Sequence, residues 1–101
     1  MDAVIIRLKG RDAFTVNQIR SRMFIEARDV LQFLQGYESI SEIRMYWSLP
    51  LVDSFGNTHD VNVMRIIFEK QTLDRINFDN FNWNNIPVIA DDYFEHAVFS
   101  S

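Results

Sequence analysis

One amphipathic segment, from Thr15 to Gly36, most constrains what this chain can fold into. Thr15 and Gln18 have the S/T-x-x-E/Q spacing of a capping box, in which each side chain satisfies a backbone N–H group of the first helical turn. Apolar residues then recur every three or four positions, as on one face of a helix, at Val16, Ile19, Met23, Ala27, Val30, Leu31 and Leu34. We therefore predict a helix of about 20 residues, roughly 30 Å long.

Four further expectations concern the ends and the edges of this helix. Phe14, before the cap, has the position of a hydrophobic staple residue. Gly36 stands where a left-handed residue ends many helices. Phe24 and Phe33 widen the apolar stripe at its two edges. Ile25 points away from the stripe, so it needs a second cover or a binding partner.

The segments on either side of the helix alternate between apolar and polar residues, which predicts strands with one buried face. One strand is expected at Ala3–Lys9, followed by a turn at 10–12, and another at Ile43–Leu51. Pro50 cannot donate to a ladder, so that end of the strand lies at an edge or a bulge. Residues 53–58 then predict a hairpin loop.

The strand that returns from this loop changes its apolar phase. Val61 and Val63 occupy odd positions. The apolar alternation that follows occupies even positions, at Met64, Ile66 and Phe68. A phase change of one residue predicts a bulge near Val63–Arg65, or burial of both faces.

The last quarter of the chain is rich in Asn and in aromatic residues. The aromatic residues are Phe78, Phe81, Trp83, Tyr93 and Phe94. Their rings must be buried, or they form a large exposed apolar surface. Asn side chains bond to nearby backbone groups and favour turns. We predict a wrapped tail that packs its rings inward, with one helical turn at Gln71–Ile76 and a short helix from Pro87 to about Tyr93.

The order β-α-β-β predicts an α+β fold, with one long helix packed on a small antiparallel sheet and a wrapped aromatic C-terminal tail. Cystatin-like and related roll folds offer an analogy for this architecture, although a fold does not fix a function. A length of 101 residues predicts a single domain over residues 1–101.

Composition and charge exclude several classes of function. The chain has no Cys, which excludes disulfides, thiolate metal sites and Cys nucleophiles. A net charge of −4 repels phosphate backbones, so we expect no nucleic-acid partner. No apolar run is long enough to cross a bilayer, so membrane attachment would need an anchor outside this chain. We interpret the N-terminal basic residues as ordinary surface; they are Arg7, Lys9, Arg11, Arg20, Arg22 and Arg28.

The densest group of potential metal ligands comprises Asp91, Asp92, Glu95 and His96. On a helix, Asp92 and His96 would share a face, and carboxylate and imidazole ligands could hold a divalent metal ion. The alternative is a solvated acidic turn. We favour this alternative, and we expect no metal and no cofactor.

A second candidate for chemistry is the pair His59 and Asp60, near Asp53. His is easily tuned near neutral pH, but adjacent strand residues point to opposite faces. The favoured interpretation is that Asp53 and Asp60 stabilise the loop. No G-x-S-x-G motif and no Gly-rich phosphate loop is present, so we expect no catalytic residues.

Phe55 is the clearest candidate for a binding residue. It is a bulky apolar residue at a hairpin tip, where exposure is hard to avoid, and an exposed Phe indicates a protein contact. Trp47, in contrast, lies on the apolar phase of its strand, which predicts burial. Phe55 and Ile25 are therefore the two candidate binding residues.

Several motifs together resemble the C-terminal domain of uncharacterised cell-surface proteins and lipoproteins of Gram-positive bacteria. They are the runs at 49–57, 63–65, 76–81 and 86–96. Phe55 stands where that family has Tyr, and Phe78 and Phe94 stand where it has Trp. The likeness covers about residues 14–99, and it implies an extracytoplasmic domain whose membrane anchor lies upstream of Met1. It implies no catalytic residues.

Three functions are thus open. The leading expectation is a non-catalytic extracytoplasmic domain of a bacterial surface protein or lipoprotein that mediates protein or envelope interactions. The second is a cytosolic adaptor or regulatory subunit that forms a homodimer through a sheet edge or through the Ile25 side of the helix. The third is a small metal-dependent hydrolase that uses the C-terminal carboxylates and His96.

Overall fold

The computed structural model describes residues 2–10 and 15–100 of the chain. Its strands are β1 (Asp2–Lys9), β2 (Ile40–Val52), β3 (Thr58–Glu69) and β4 (Asp92–Glu95). Its helices are α1 (Val16–Leu34), α2 (Lys70–Leu73) and α3 (Ile86–Ile89). Two 3₁₀ turns cover Trp83–Asn85 and Ala97–Phe99. The expected α+β class, with one long helix on a small sheet, is confirmed.

The four strands form one sheet in the order β1-β2-β3-β4. β2, β3 and β4 are antiparallel, as expected, but β1 pairs with β2 in parallel. The sheet is therefore mixed, and the analogy with a roll fold does not extend to the direction of β1. The cause is α1, a crossover that carries the chain back to the end of the sheet at which β1 began, so that β2 runs in the same direction.

The start of α1 follows the sequence closely. The Thr15 side chain accepts a hydrogen bond from the Gln18 N–H, and the Gln18 side chain accepts one from the Thr15 N–H, both at 3.1 Å. The predicted capping box is thus confirmed. The proposed staple residue Phe14 and the turn residues Arg11 and Asp12 lie outside the described residues.

The end of α1 differs from the expectation. Gln35 caps the helix in a right-handed conformation, and among the described residues only Gly56 has a positive φ. The prediction of a left-handed Gly36 is therefore wrong. The Lys70 ammonium donates a hydrogen bond to the carbonyl of Gln35, at 2.5 Å, and so satisfies one of the carbonyls at this helix end that have no partner within the helix.

The core lies between α1 and one face of the sheet. α1 contributes Met23, Phe24, Ala27 and Leu31, and the sheet contributes Ile43, Met45, Trp47, Met64, Ile66 and Phe68. Full burial of a large apolar side chain contributes about 1.5–3 kcal/mol each. The predicted burial of Trp47 is confirmed, whereas Phe33 leaves the apolar stripe and is 69% exposed.

The predicted bulge in β3 is present. Trp47 pairs with Met64, and the next residue, Ser48, pairs with Asn62. Val63 is therefore the extra residue on β3, and it is fully buried. One inserted residue explains why the apolar phase switches.

Most rings of the C-terminal tail pack inward, as predicted. Trp83 and Tyr93 are half-buried and lie 6.3 and 6.2 Å from the Phe24 ring, centroid to centroid. Phe78 and Phe81 meet edge to face at 5.9 Å. These spacings are typical of interacting aromatic pairs, so the tail closes one side of the core.

The backbone of the tail is partly different from the prediction. Asn77 and Asn82 form the expected local turns, since each side chain accepts a hydrogen bond from the backbone N–H two residues later. Pro87 stands at the start of α3, also as expected. However, α3 ends at Ile89, and the segment predicted to be helical up to about Tyr93 instead enters β4.

Candidate functional site

The hairpin of β2 and β3 extends beyond the rest of the sheet. β1 ends opposite Ser48, and the pairing of β4 begins at Met64. Residues 49–62 therefore form a two-stranded arm, which we call the hairpin arm. Pro50 lies in this arm, and within residues 2–10 and 15–100 no strand pairs with β2 there on the β1 side, which agrees with the expected edge position.

The tip of the hairpin arm is held by one carboxylate. Asp53 Oδ1 accepts hydrogen bonds from the backbone N–H groups of Phe55 and Asn57, both at 2.9 Å, and its Oδ2 lies 2.8 Å from Nε2 of His59. Gly56 supplies the left-handed residue, with φ 84°. The hydrogen bonds from Asn57 and His59 lower the pKa of Asp53 below its ordinary value.

Phe55 projects from this ordered tip into solvent, with 90% of its surface exposed. Its neighbour on the arm, Val52, is 68% exposed. Because the Asp53 bonds fix the backbone of the loop, the Cα–Cβ bond of Phe55 points in a defined direction. An apolar side chain on an ordered loop is suited to insertion into a pocket of a partner.

The two other titratable residues of the arm, His59 and Asp60, serve its structure. His59 contacts Asp53, whereas Asp60 lies 3.7 Å from the ammonium of Lys9. The two side chains thus have different partners. The structure does not bring His59 and Asp60 together as an acid–base pair.

The proposed metal ligands are also held apart. Asp91 accepts hydrogen bonds from the Glu69 N–H and the Thr72 hydroxyl, while Asp92 pairs with Arg65 at 2.7 Å. Asp92 and Glu95 belong to a strand, so the shared helical face assumed for Asp92 and His96 does not exist. The described residues contain no group of three or more potential ligands placed to hold a metal ion.

His96 and Glu95 have separate structural tasks. Nδ1 of His96 accepts a hydrogen bond from the backbone N–H of Val98 and so caps the last 3₁₀ turn. Glu95 accepts hydrogen bonds from Arg20 and from the hydroxyl of Tyr93. Burial and the bond to Glu95 raise the pKa of Tyr93, so its hydroxyl stays protonated at neutral pH.

Ile25, the second candidate binding residue, is half-buried and lies outside the core cluster. Its position on α1 therefore offers less apolar surface than that of Phe55. The basic residues near the N-terminus do not form one patch, because Lys9, Arg20 and Arg28 pair with carboxylates of this chain. Arg7 stacks on the ring of Tyr46 at 5.6 Å, and Arg11 lies outside the described residues.

Sequence reasoning missed a second exposed apolar region, beside β1. Ile5 is 56% exposed on the sheet face away from α1, and Phe33 is exposed near the end of α1. The signal was present in the sequence. Ile5 interrupts the alternation of β1 on its polar face, and Phe33 lies at the edge of the apolar stripe of the helix.

Comparison with known proteins gives no match to a family model, to a curated protein or to a solved structure. None of the described helices is long and apolar enough to span a membrane.

Proposed function

We propose that this chain is a non-catalytic interaction domain of a bacterial surface protein or lipoprotein, and that Phe55 anchors its contact with a protein or an envelope component. The observation that carries the proposal is the exposed ring of Phe55 on a loop fixed by Asp53. An exposed large apolar residue costs solubility, and such residues concentrate at binding surfaces.

The energetics of a fixed loop favour this role. A flexible loop loses conformational freedom when it binds, and each immobilised side chain costs about 0.5–1.5 kcal/mol. The hydrogen bonds of Asp53 order the loop before binding, so more of the burial energy of the ring becomes affinity. Aromatic anchors of this kind account for about 2 kcal/mol or more at many interfaces.

The cellular setting is part of the same proposal. The sequence resemblance supports an extracytoplasmic domain whose parent protein is anchored in the membrane. The absence of Cys is compatible with this setting but does not require it. The second candidate, a cytosolic regulatory subunit that dimerises, is favoured by the outer edge of β1, with which no strand of the described part of the chain pairs.

Binding of the purified domain to isolated cell envelopes of the source bacterium tests the proposal. We expect Phe55→Ala to weaken binding about tenfold or more. Val88→Ala is the matched control, because Val88 is 80% exposed but lies on α3, away from the hairpin arm. Equal binding by both variants, or no binding by the unaltered domain, would refute the role of Phe55.

Protease treatment of intact cells tests the location separately. A surface domain is cleaved in intact cells, while a cytosolic marker protein stays whole. Protection of the domain until the cells are lysed would support the cytosolic candidate instead.

A further inference from the structure

We propose that the outer edge of β1 is a self-association surface, through which two copies of this chain join their sheets into one of eight strands. This surface is separate from the hairpin tip, so the inference stands or falls independently of the role of Phe55. Three features of the molecule support this surface: the hydrogen-bonding direction of β1, the side chains along it and the groove beside it.

The hydrogen-bonding groups of β1 can be assigned to its two edges. The N–H group of Asp2 donates to the carbonyl of Ser39, directly before β2, at 3.0 Å, and the N–H group of Gly10 donates to Ser48 of β2, at 2.7 Å. The backbone N–H and C=O groups of successive strand residues point to opposite edges. Those of all even residues of β1 therefore point toward β2. The N–H and C=O groups of Ala3, Ile5, Arg7 and Lys9 therefore point away from the sheet. Among the described residues, no strand pairs with this side of β1.

Natural edge strands usually carry a feature that hinders pairing, such as charged side chains, a Pro, a bulge or a very short length. β1 has eight residues and no Pro, and its pairing with β2 is regular from Ala3 to Lys9. Its charged residues in this stretch, Arg7 and Lys9, lie on the sheet face opposite α1. The edge is therefore able to accept another strand.

The groove beside this edge is apolar. It has a volume of about 370 Å³ and is lined by Val4, Ile6, Asp29, Val30, Phe33 and Leu34. Phe33 is 69% exposed. A strand added to β1 would place alternate side chains in this groove, between the strand and α1.

A second copy of β1 can pair with this edge in a register that opposes no like charges. In an antiparallel pair about a two-fold axis, directly opposed residues face the same side of the sheet. Centring the axis on Ile6 places Ile5 opposite Arg7 and Ala3 opposite Lys9, so every outward-facing residue is paired and no like charges are opposed. On the α1 side, Val4 meets Leu8 and Ile6 meets Ile6. The alternative centred on Arg7 would oppose two guanidinium groups.

The side chains of α1 that would lie between the two copies fit the same arrangement. α1 packs over β2, so three strand spacings would separate the two copies of α1, about 14 Å in all. Directly packed helices lie about 8–10 Å apart. Large side chains must therefore fill the gap, and Phe33 and Val30 are placed to do so.

The size of the contact sets the expected strength. Seven paired residues at about 3.4 Å each give a length of about 24 Å, and the thickness of the molecule is 19 Å. Both faces together then bury on the order of 1,000 Å², near the lower limit for specific interfaces. We therefore expect a dimer that dissociates on dilution.

Single-cysteine variants test the register, because the chain has no Cys of its own. Ile6→Cys places two thiols at the axis, where opposed Cα atoms lie about 4.5 Å apart, within disulfide range. Ile5→Cys is the control: Ile5 is more exposed than Ile6 but faces Arg7 of the other copy. We expect rapid cross-linking of Ile6→Cys, slow cross-linking of Ile5→Cys, and rapid cross-linking of Ile5→Cys mixed with Arg7→Cys. Faster cross-linking of Ile5→Cys alone than of Ile6→Cys would overturn the proposal.

Charge substitutions at Ile5 test the same register without a covalent bond. Ile5→Glu faces Arg7 of the other copy and should strengthen the dimer about fivefold, whereas Ile5→Lys should weaken it about fivefold. Sedimentation of the unaltered chain and of both variants over a concentration series gives the dissociation constants. If loss of an apolar side chain were the only effect, both variants would weaken association equally. That result, or a chain that stays monomeric throughout the series, would refute the proposal.

Discussion

Arg20 on α1 donates two hydrogen bonds to a single carboxylate oxygen of Glu95 on β4, from Nε at 3.0 Å and from a terminal nitrogen at 2.8 Å. The hydroxyl of Tyr93 donates to the same oxygen. Burial alone would raise the pKa of Glu95, but the bonds from Arg20 and Tyr93 outweigh burial, and the net pKa is lowered. This cluster fastens the last strand to the long helix.

The first prediction concerns the stability of that cluster. Arg20→Ala leaves a half-buried carboxylate without its cation, and we expect a loss of about 1–2 kcal/mol in the free energy of unfolding. Denaturant unfolding at neutral pH measures it. Arg22→Ala is the control, because Arg22 is an exposed residue of the same helix. Equal losses in the two variants would contradict a specific role for the Arg20–Glu95 contact.

The pH dependence of the same cluster gives a second prediction. The pKa of Glu95 is lower in the folded than in the unfolded chain, so its contribution is complete above its ordinary pKa of 4.5 and is lost as the pH falls through the folded value. Glu95→Gln should therefore flatten the acid side of the stability curve. Thermal unfolding across the acid range measures this change, and an unchanged curve would count against it.

A third prediction concerns the hairpin tip. Asp53→Ala removes three hydrogen bonds, whereas Asp53→Asn keeps an acceptor oxygen, so the Tm should fall further for Ala than for Asn. Because the pKa of Asp53 is lowered below 3.8 in the folded chain, its contribution is present above that pH and is lost on further acidification. The comparison of Tm at about pH 7 and about pH 3 checks both statements. A Tm that is the same in all three proteins would contradict the description of the loop.

The bulge supplies a fourth prediction. Val63 is fully buried, whereas Val61 is partly exposed. Val63→Thr keeps the shape but buries a hydroxyl, at a cost of about 1–3 kcal/mol. Val61→Thr should change stability by less than about 0.5 kcal/mol. Chemical unfolding of both variants decides the matter: a β3 without a bulge would turn residues 61 and 63 toward the same exposed face, and both variants would then lose little stability.

The fifth prediction concerns the contact between the end of α1 and the tail. The Gln35 amide donates to the carbonyls of Leu73 and Ile76, at 3.0 and 2.9 Å. Gln35→Met has a similar shape but no donor, and we expect it to cost about 1–2 kcal/mol. Gln32→Met, at an exposed position of α1, is the matched control. The idea fails if both variants unfold at the same denaturant concentration.

The features that the sequence predicts correctly are local ones. The capping box of Thr15 and Gln18 depends on four consecutive residues, and the bulge at Val63 appears directly as a change of apolar phase. The turns at Asn77 and Asn82 are equally local, because each side chain bonds to its own backbone two residues later. In each case a few neighbouring residues contain all the information that is needed.

The features that were missed depend on distant residues. β4 is a strand because it pairs with β3, and nothing in its own four residues distinguishes a strand from a helical turn. The carbonyl at the end of α1 accepts a hydrogen bond from Lys70, which lies 35 positions away from Gln35 along the chain. Phe94, expected inside, stacks beneath Arg65 at 5.4 Å on the opposite face of the sheet.

The candidate site was partly predictable for the same reason. Exposure of Phe55 follows from its place in a tight loop, which the sequence specifies. The free edge of β1 follows from the direction of that strand and from the order of the whole sheet, and neither is visible until the crossover through α1 is known. The sequence places Ile5 and Phe33 at the margins of the apolar patterns, but their position beside the outer edge of β1 is visible only in three dimensions.

The parallel pairing of β1 has a consequence for how the chain is made. Roughly 40 residues separate each paired position of β1 from its neighbour on β2, so the first strand leaves the ribosome long before its partner exists. The β2–β3 hairpin closes over a short loop instead. We expect the sheet to be completed outward from this hairpin. During synthesis the N-terminal strand is then the segment most open to chaperones, and the nascent helix is the first element that can shelter it.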